Sequence, residues 1–346
     1  MKYRKFNAAF GCMVFLLLLT MLAACSSNGP NAGSAGNKEN ATAEPDNSQP
    51  SNGEEAGGEV GDGGMEGDEQ AATRTITDYA GRTVEIPMIP KKIIYIGSTP
   101  GDFLAVGTKP IGAALSVIST QVIYHSELAG IEDIGDNETN LEKILALEPD
   151  LIVTDGANSP EHLEALSKIA ATVSFDSSVP MYERFRFIAD VIDKKEEAES
   201  WIAAYEEKAK ATIERLDIHN SETATVLLLL GKQLYVMGKR GIAVTLYDVL
   251  DFTPAPKVQE IIGQSERFVT ISEEVLPDYI GDWLFLLSNN AEETLEAKQA
   301  LLDSTVWKTI PTVKNGQVFT MESKWNFDDP ITREKFLDEL PRIMNK

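Results

Sequence analysis

The residues able to do chemistry in this chain are few, and most reaction classes lack theirs. The two cysteines, Cys12 and Cys25, both fall in the first 25 residues. The rest of the chain therefore offers no thiol nucleophile, no disulfide framework and no cysteine-ligated metal. His125, His162 and His219 are the three histidines, far apart, so a three-histidine metal site is not expected. Gly97-Ser98-Thr99-Pro100-Gly101 carries its serine one place too early for a Gly-x-Ser-x-Gly nucleophile elbow. The sequence contains no His-Glu-x-x-His, no Walker loop and no Gly-x-Gly-x-x-Gly. What remains is recognition chemistry. Lys239-Arg240-Gly241 offers a guanidinium, a planar fork of donors for oxygen ligands, although a basic pair also suits a solvated turn. Ser98 and Thr99 offer hydroxyls that either cap the following helix or face a cleft, and the two roles are compatible. We expect no catalytic residue, no cofactor and no metal ligand; the rival class is an α/β enzyme.

Charge and the N-terminus narrow the setting. Net charge is −23, which disfavours nucleic-acid binding. Lys2, Arg4 and Lys5 precede an apolar run centred on Val14 to Leu19, which ends in Leu22-Ala23-Ala24-Cys25. A basic flank, a short apolar run and small residues before a cleavage point are the pattern of an export signal. The run is short for a membrane span. Leu-Ala-Ala-Cys resembles a bacterial lipobox, which implies cleavage before Cys25 and acylation of its sulfur. Two or more acyl chains hold a protein stably on a membrane. From 26 to 73 the composition is Gly, Ser, Asn, Ala and acid, with ten acidic residues against Lys38 alone. Such a segment buries too little apolar surface to offset its ordering entropy and reads as a flexible tether. Its span as a random coil is about 40 Å.

The elements that must position Ser98 and Arg240 follow. Thr75–Asp78 and Thr83–Ile86 alternate around a Gly81 turn, as in a β-hairpin. Ile93–Ile96 and Leu151–Thr154 read as buried strands, with a helix from Asn140 to Leu147 whose N-cap is Asn140. Strands alternating with helices argue for a parallel α/β sheet. Residues 193–216 break the rhythm with a helix free of Pro and Gly. Trp201, Tyr205, Ala209, Ile213 and Leu216 form one apolar stripe along it. The alternation then restarts with strands near 225–230, 233–237, 283–287 and 317–321 and ends in a helix over 331–344. The expected division is a signal peptide 1–24, a lipidated cysteine and acidic linker 25–73, a lobe 74–192, an inter-lobe helix 193–217 and a lobe 218–346.

In this arrangement the sequence resembles the solute receptors of ABC importers for ferric siderophores, vitamin B12 and haem. The resemblance rests on Thr75 to Pro87, Pro90 to Ile94, Gly101 to Ala113, Ile134-Gly135, Asn140 to Val153 and Trp325 to Ile331. The block from Leu141-Glu142-Lys143-Ile144 to Pro149-Asp150-Leu151-Ile152 is its most diagnostic part. It implies two Rossmann-like lobes joined by a single long helix, with the ligand cleft between them. It implies an exported, lipid-anchored, monomeric receptor on the outer face of the cell membrane, handing cargo to a permease. Arg240 stands where hydroxamate-type members aim an arginine at chelate oxygens, with Lys239 beside it. Trp325 stands where an aromatic packs on the siderophore. Tyr124 and His125 stand in a loop that often contacts ligand, and either would serve as an axial ligand if the cargo were haem. Glu142 and Glu274, one per lobe, match glutamates that dock on the permease; a helix N-terminus also favours glutamate on its own. A ferric siderophore is the expected cargo, with cobalamin or haem as the alternative and direct protein–iron bonds not expected.

Overall fold

A computed structural model describes residues 72–136, 140–156, 159–219 and 221–344. The expected export signal, Cys25 and the expected tether up to residue 71 lie outside the described residues.

The described chain opens with an antiparallel hairpin, Thr73–Thr77 with Thr83–Pro87. Gly81 turns it at a φ of +75°, a conformation that costs glycine little. Asp78 pins the hairpin to the first lobe. Its buried carboxylate accepts from Arg82 and from the backbone N–H of Ser174.

The first lobe is a five-stranded parallel sheet. Its order is Glu132–Asp133, Gly112–Ala113, Ile93–Ile96, Leu151–Asp155 and Ala171–Phe175. All four residues of Ile93–Ile96 are buried, as befits a parallel strand covered by helices on both faces. Ile93 and Tyr95 enter one apolar cluster while Ile94 and Ile96 enter the other. The alternation of the strand thus feeds two cores.

The second lobe holds a six-stranded sheet that is mixed rather than wholly parallel. Thr223–Leu230, Trp283–Ser288 and Val318–Glu322 run parallel. Gln233–Met237 folds back on Thr223–Leu230, and Phe268–Ile271 pairs antiparallel to it. The cause is a hairpin at Gly231, whose φ is +55°. A link of two residues leaves no room for the crossover that a parallel neighbour needs.

The inter-lobe helix runs Lys195–Leu216, 22 residues or about 33 Å. It ends at Asp217 in a left-handed conformation. Its first half gives Ala198 and Ile202 to the first-lobe core, and its second half gives Tyr205 and Ala209 to the second-lobe core. Trp201 stacks on Tyr205 at 5.0 Å between the two. One rigid element is therefore shared by both cores. The C-terminal helix Pro330–Met344 lies along it, with Ile331 against the first core and Phe336, Leu337 and Leu340 in the second. The junction accordingly rests on two packed helices.

Candidate functional site

Between the lobes lies a cavity of about 330 Å³, within the range of small-molecule sites. The first lobe contributes the Ser98-Thr99 loop and the Ser177–Met181 segment. The second contributes the Lys239–Gly241 turn, Arg267 and the Asn326–Asp328 segment. Ser98, Thr99, Lys239 and Arg240 are thus brought to one cavity from opposite lobes.

The Ser98-Thr99 loop leaves the buried strand Ile93–Ile96 and is fixed by Tyr95. The Tyr95 hydroxyl donates to the Thr99 carbonyl at 2.9 Å and accepts from the Thr99 N–H at 3.1 Å. A Cβ at Gly97 would overlap this phenol. The helix that follows, Gly101–Leu104, has Pro100 at its N-cap and takes no side-chain cap, and Ser98 and Thr99 both line the cavity.

Arg240 and Lys239 leave the strand Gln233–Met237. Gly241 then enters the helix Ile242–Asp248 at a φ of +57°, where a Cβ would collide with Asn326. Lys239 is closed by Asp248 at 2.8 Å. The Arg240 guanidinium sits 5.8 Å from the Phe268 ring centroid. Burial, and then the like charge of Arg267, push its pKa down. The buried Asn326 side-chain oxygen, also at the wall, has no hydrogen-bond partner. A buried acceptor left without a donor is uncommon in a folded protein.

Beneath the wall runs an ionic network that ties the lobes. Arg184 donates to Asp102 at 2.9 Å, both nearly fully buried, and to the Asp328 carbonyl at 2.8 Å. Burial alone would lower the pKa of Arg184, but Asp102 overrides it and keeps the guanidinium charged. Arg333 grips the Asp328 carboxylate with two hydrogen bonds, at 2.6 and 3.0 Å. Asp329 accepts from the N–H and hydroxyl of Thr332 and from Tyr124.

The structure places three of the expected contacts away from this cavity. Tyr124 is 1% exposed, lies in the first-lobe core and spends its hydroxyl on Asp329. It belongs to the lobe junction rather than the cavity wall. His125 is exposed and pairs with Lys324 at 3.0 Å, outside the cavity. Trp325, in the short 3-10 helix Ser323–Asn326, is half-buried and packs against the second-lobe core on Phe336, with ring centroids 6.0 Å apart. Asn326 and Phe327 take the wall instead. Glu142 and Glu274 are both exposed, at the first turns of Leu141–Ala146 and of the 3-10 helix Glu273–Asp278. Neither has an ion-pair partner among the described residues. Arg267, Asn326, Phe327 and the Asp102–Arg184–Asp328 network are the features missed in the sequence.

Asp329 gives the junction a pH dependence. Burial pushes its carboxyl up to about 7, against the pull of the Thr332 N–H, and nearby Asp102 adds to the rise. A carboxyl raised on folding contributes stability that is complete below its unfolded value near 3.8 and is lost as pH rises through 7. Asp329→Asn removes that loss. The variant's stability advantage over the parent should grow between pH 5 and pH 8, by roughly 2–4 kcal/mol. Denaturant unfolding at the two pH values measures it, and parallel profiles for parent and variant would refute it.

Residues 93–325 match the profile of the periplasmic binding protein family. The iron(3+)-hydroxamate-binding protein FhuD of Bacillus subtilis is 29% identical, over 99% of each chain. A second iron(3+)-hydroxamate-binding protein of that species, YxeB, is 27% identical over 80% of this chain and 87% of its own. Among solved structures, an FhuD-fold periplasmic binding protein component of a ferrichrome ABC transporter from B. subtilis superposes with a TM-score of 0.69. It is 27% identical and covers 78% of this chain and 100% of that one. Staphylococcus aureus SirA, solved with staphyloferrin B, has a TM-score of 0.68 at 23% identity, over 79% of this chain and 99% of its own, and speaks to the fold. With the match spanning both lobes and the helix between them, the chain belongs to the periplasmic binding protein family.

Proposed function

We propose that this protein captures a ferric siderophore in the inter-lobe cleft and delivers it to the permease of an ABC importer. The observation that carries the reading is Arg240: a half-buried guanidinium at the cavity wall with no carboxylate partner among the described residues. An arginine so placed satisfies the outward oxygens of an iron chelate. The relatives named as iron(3+)-hydroxamate-binding proteins support the same cargo class. Iron travels as part of the cargo, ligated by the siderophore. Ser98, Thr99 and Arg240 are the contacts we assign to it, with Lys239 restrained by Asp248 in a lesser role. The protein acts as a monomeric receptor, the lobes being 74–192 and 218–346 about the helix 193–217.

We further assign Cys25 as a lipidation site, after removal of residues 1–24, with residues 25–73 as a tether on the outer face of the membrane. Cys25→Ser should leave unprocessed precursor or shed the protein into the medium. Normal membrane retention in cell fractionation would refute the anchor.

Delivery needs a fixed seat on the permease. One exposed carboxylate per lobe defines a register that a single charge does not, and such pairs steer encounter more than they add affinity. Glu142→Ala and Glu274→Ala should each lower uptake of the radio-iron siderophore while leaving its dissociation constant within about twofold, because both lie outside the cavity. The double variant should be worse than either. Full uptake by the double variant would remove both as docking contacts, and lost binding would reassign them to the fold.

A further inference from the structure

The cavity wall is cationic in a chain of net charge −23. Three of its basic side chains are closed by carboxylates: Arg184 by Asp102, Arg333 by Asp328 and Lys239 by Asp248. Arg240 and Arg267 have no ion-pair partner among the described residues.

Strand pairing holds these two together. Phe268 faces Met237 in the antiparallel ladder, so Arg267 lies opposite Gly238, whose N–H donates to the Arg267 carbonyl at 2.9 Å. A Cβ at Gly238 would collide with the Glu266 carbonyl, so the approach requires glycine. Arg240 follows two residues later and lies over Phe268, the neighbour of Arg267. The like charge of Arg267 adds to the burial that lowers the pKa of Arg240. From the first lobe, Asp176 feels Arg267, but its carboxylate accepts from the Ser178 N–H at 2.7 Å and makes no ion pair.

The charge of the cargo follows from this balance. In a ferric trihydroxamate three singly charged chelating groups neutralise the iron, and one guanidinium satisfies the outward oxygens. A neutral complex then offers no counter-charge to the second uncompensated guanidinium, Arg267, which lines the same cavity from an exposed position. A chelate with net negative charge and free carboxylates supplies one, because each carboxylate matches the fork of one arginine. Resting on the ferric-siderophore reading of this cleft, we infer that the preferred cargo is an anionic, carboxylate-bearing ferric chelate, and that Arg267 is the residue that selects for its charge.

The test is a titration of the whole protein, by intrinsic tryptophan fluorescence, with three ferric chelates of different charge. The probes are ferric dicitrate, a neutral ferric trihydroxamate and a cationic ferric trihydroxamate. The expected order of affinity is anionic, then neutral, then cationic, with the anionic complex weakening most as salt is raised. Arg267→Gln should cost the anionic complex about tenfold and leave the neutral one within about twofold, while Arg267→Lys retains most of the preference. Arg267 is exposed and outside the core, so these variants keep the fold. Equal or tighter binding of the neutral complex, or an Arg267→Gln effect blind to ligand charge, would overturn this inference and leave the siderophore reading standing. Binding of no ferric chelate, with cobalamin or haem bound instead, would overturn both.

Discussion

Alanine in place of Arg240 should weaken ferric-siderophore binding ten- to a hundredfold. Hydrogen bonds to a charged partner are worth about 1.5–3 kcal/mol, which is that span in a dissociation constant. The side chain is half-buried at the cavity wall and makes no ion pair that competes for it. Its guanidinium lies over the Phe268 ring, 5.8 Å from the centroid, so truncation leaves the fold intact. Arg240→Lys should recover part of the loss, since it restores the charge without the fork. Calorimetric titration of the three proteins measures the series. Unchanged affinity in Arg240→Ala would return the residue to a solvated turn.

The second large effect falls on stability. Arg184→Met should cost about 3–5 kcal/mol, because it leaves Asp102 buried and without its counter-charge. It also removes the hydrogen bond from the first lobe to the Asp328 carbonyl. The double variant Asp102→Leu/Arg184→Met should regain much of the loss, since a buried ion pair replaced whole is often near neutral. Denaturant unfolding of the single and double variants gives the comparison. A single variant within about 1 kcal/mol of the parent would show that the pair is hydrated rather than buried.

The parts of the fold legible in the sequence are those whose signal is local. Ile93–Ile96 and Leu151–Asp155 are short apolar runs that reach their strands unaided. The stripe from Trp201 to Ala209, with neither Pro nor Gly, marks the inter-lobe helix because 3.6-residue periodicity survives any tertiary context. Asn140 caps Leu141–Ala146 through the N–H of Lys143, as its position before the apolar run suggests. What was not legible depends on contacts distant in sequence. Arg267 sits in a polar stretch, Gln264-Ser265-Glu266-Arg267, indistinguishable from a solvated turn. Its place at the wall comes from the pairing of Phe268 with Met237. Arg184 meets Asp102 across 82 positions and Asp328 across 144. Tyr124 meets Asp329 across 205. The Trp325-Asn326-Phe327 run shows a subtler limit. One short 3-10 helix decides which of three adjacent side chains faces the cleft, and a residue's type alone does not reveal its rotation about the chain.

We propose that the cleft of this protein receives a ferric siderophore. The most direct test is equilibrium titration of the purified protein with a panel of ferric siderophores, cobalamin and haem, followed by tryptophan fluorescence. At least one ferric siderophore should saturate a single site at micromolar concentration or below. Its binding should weaken in Arg240→Ala, and cobalamin and haem should leave the signal unchanged. Saturation by cobalamin or haem, with every ferric siderophore inert, would contradict the account.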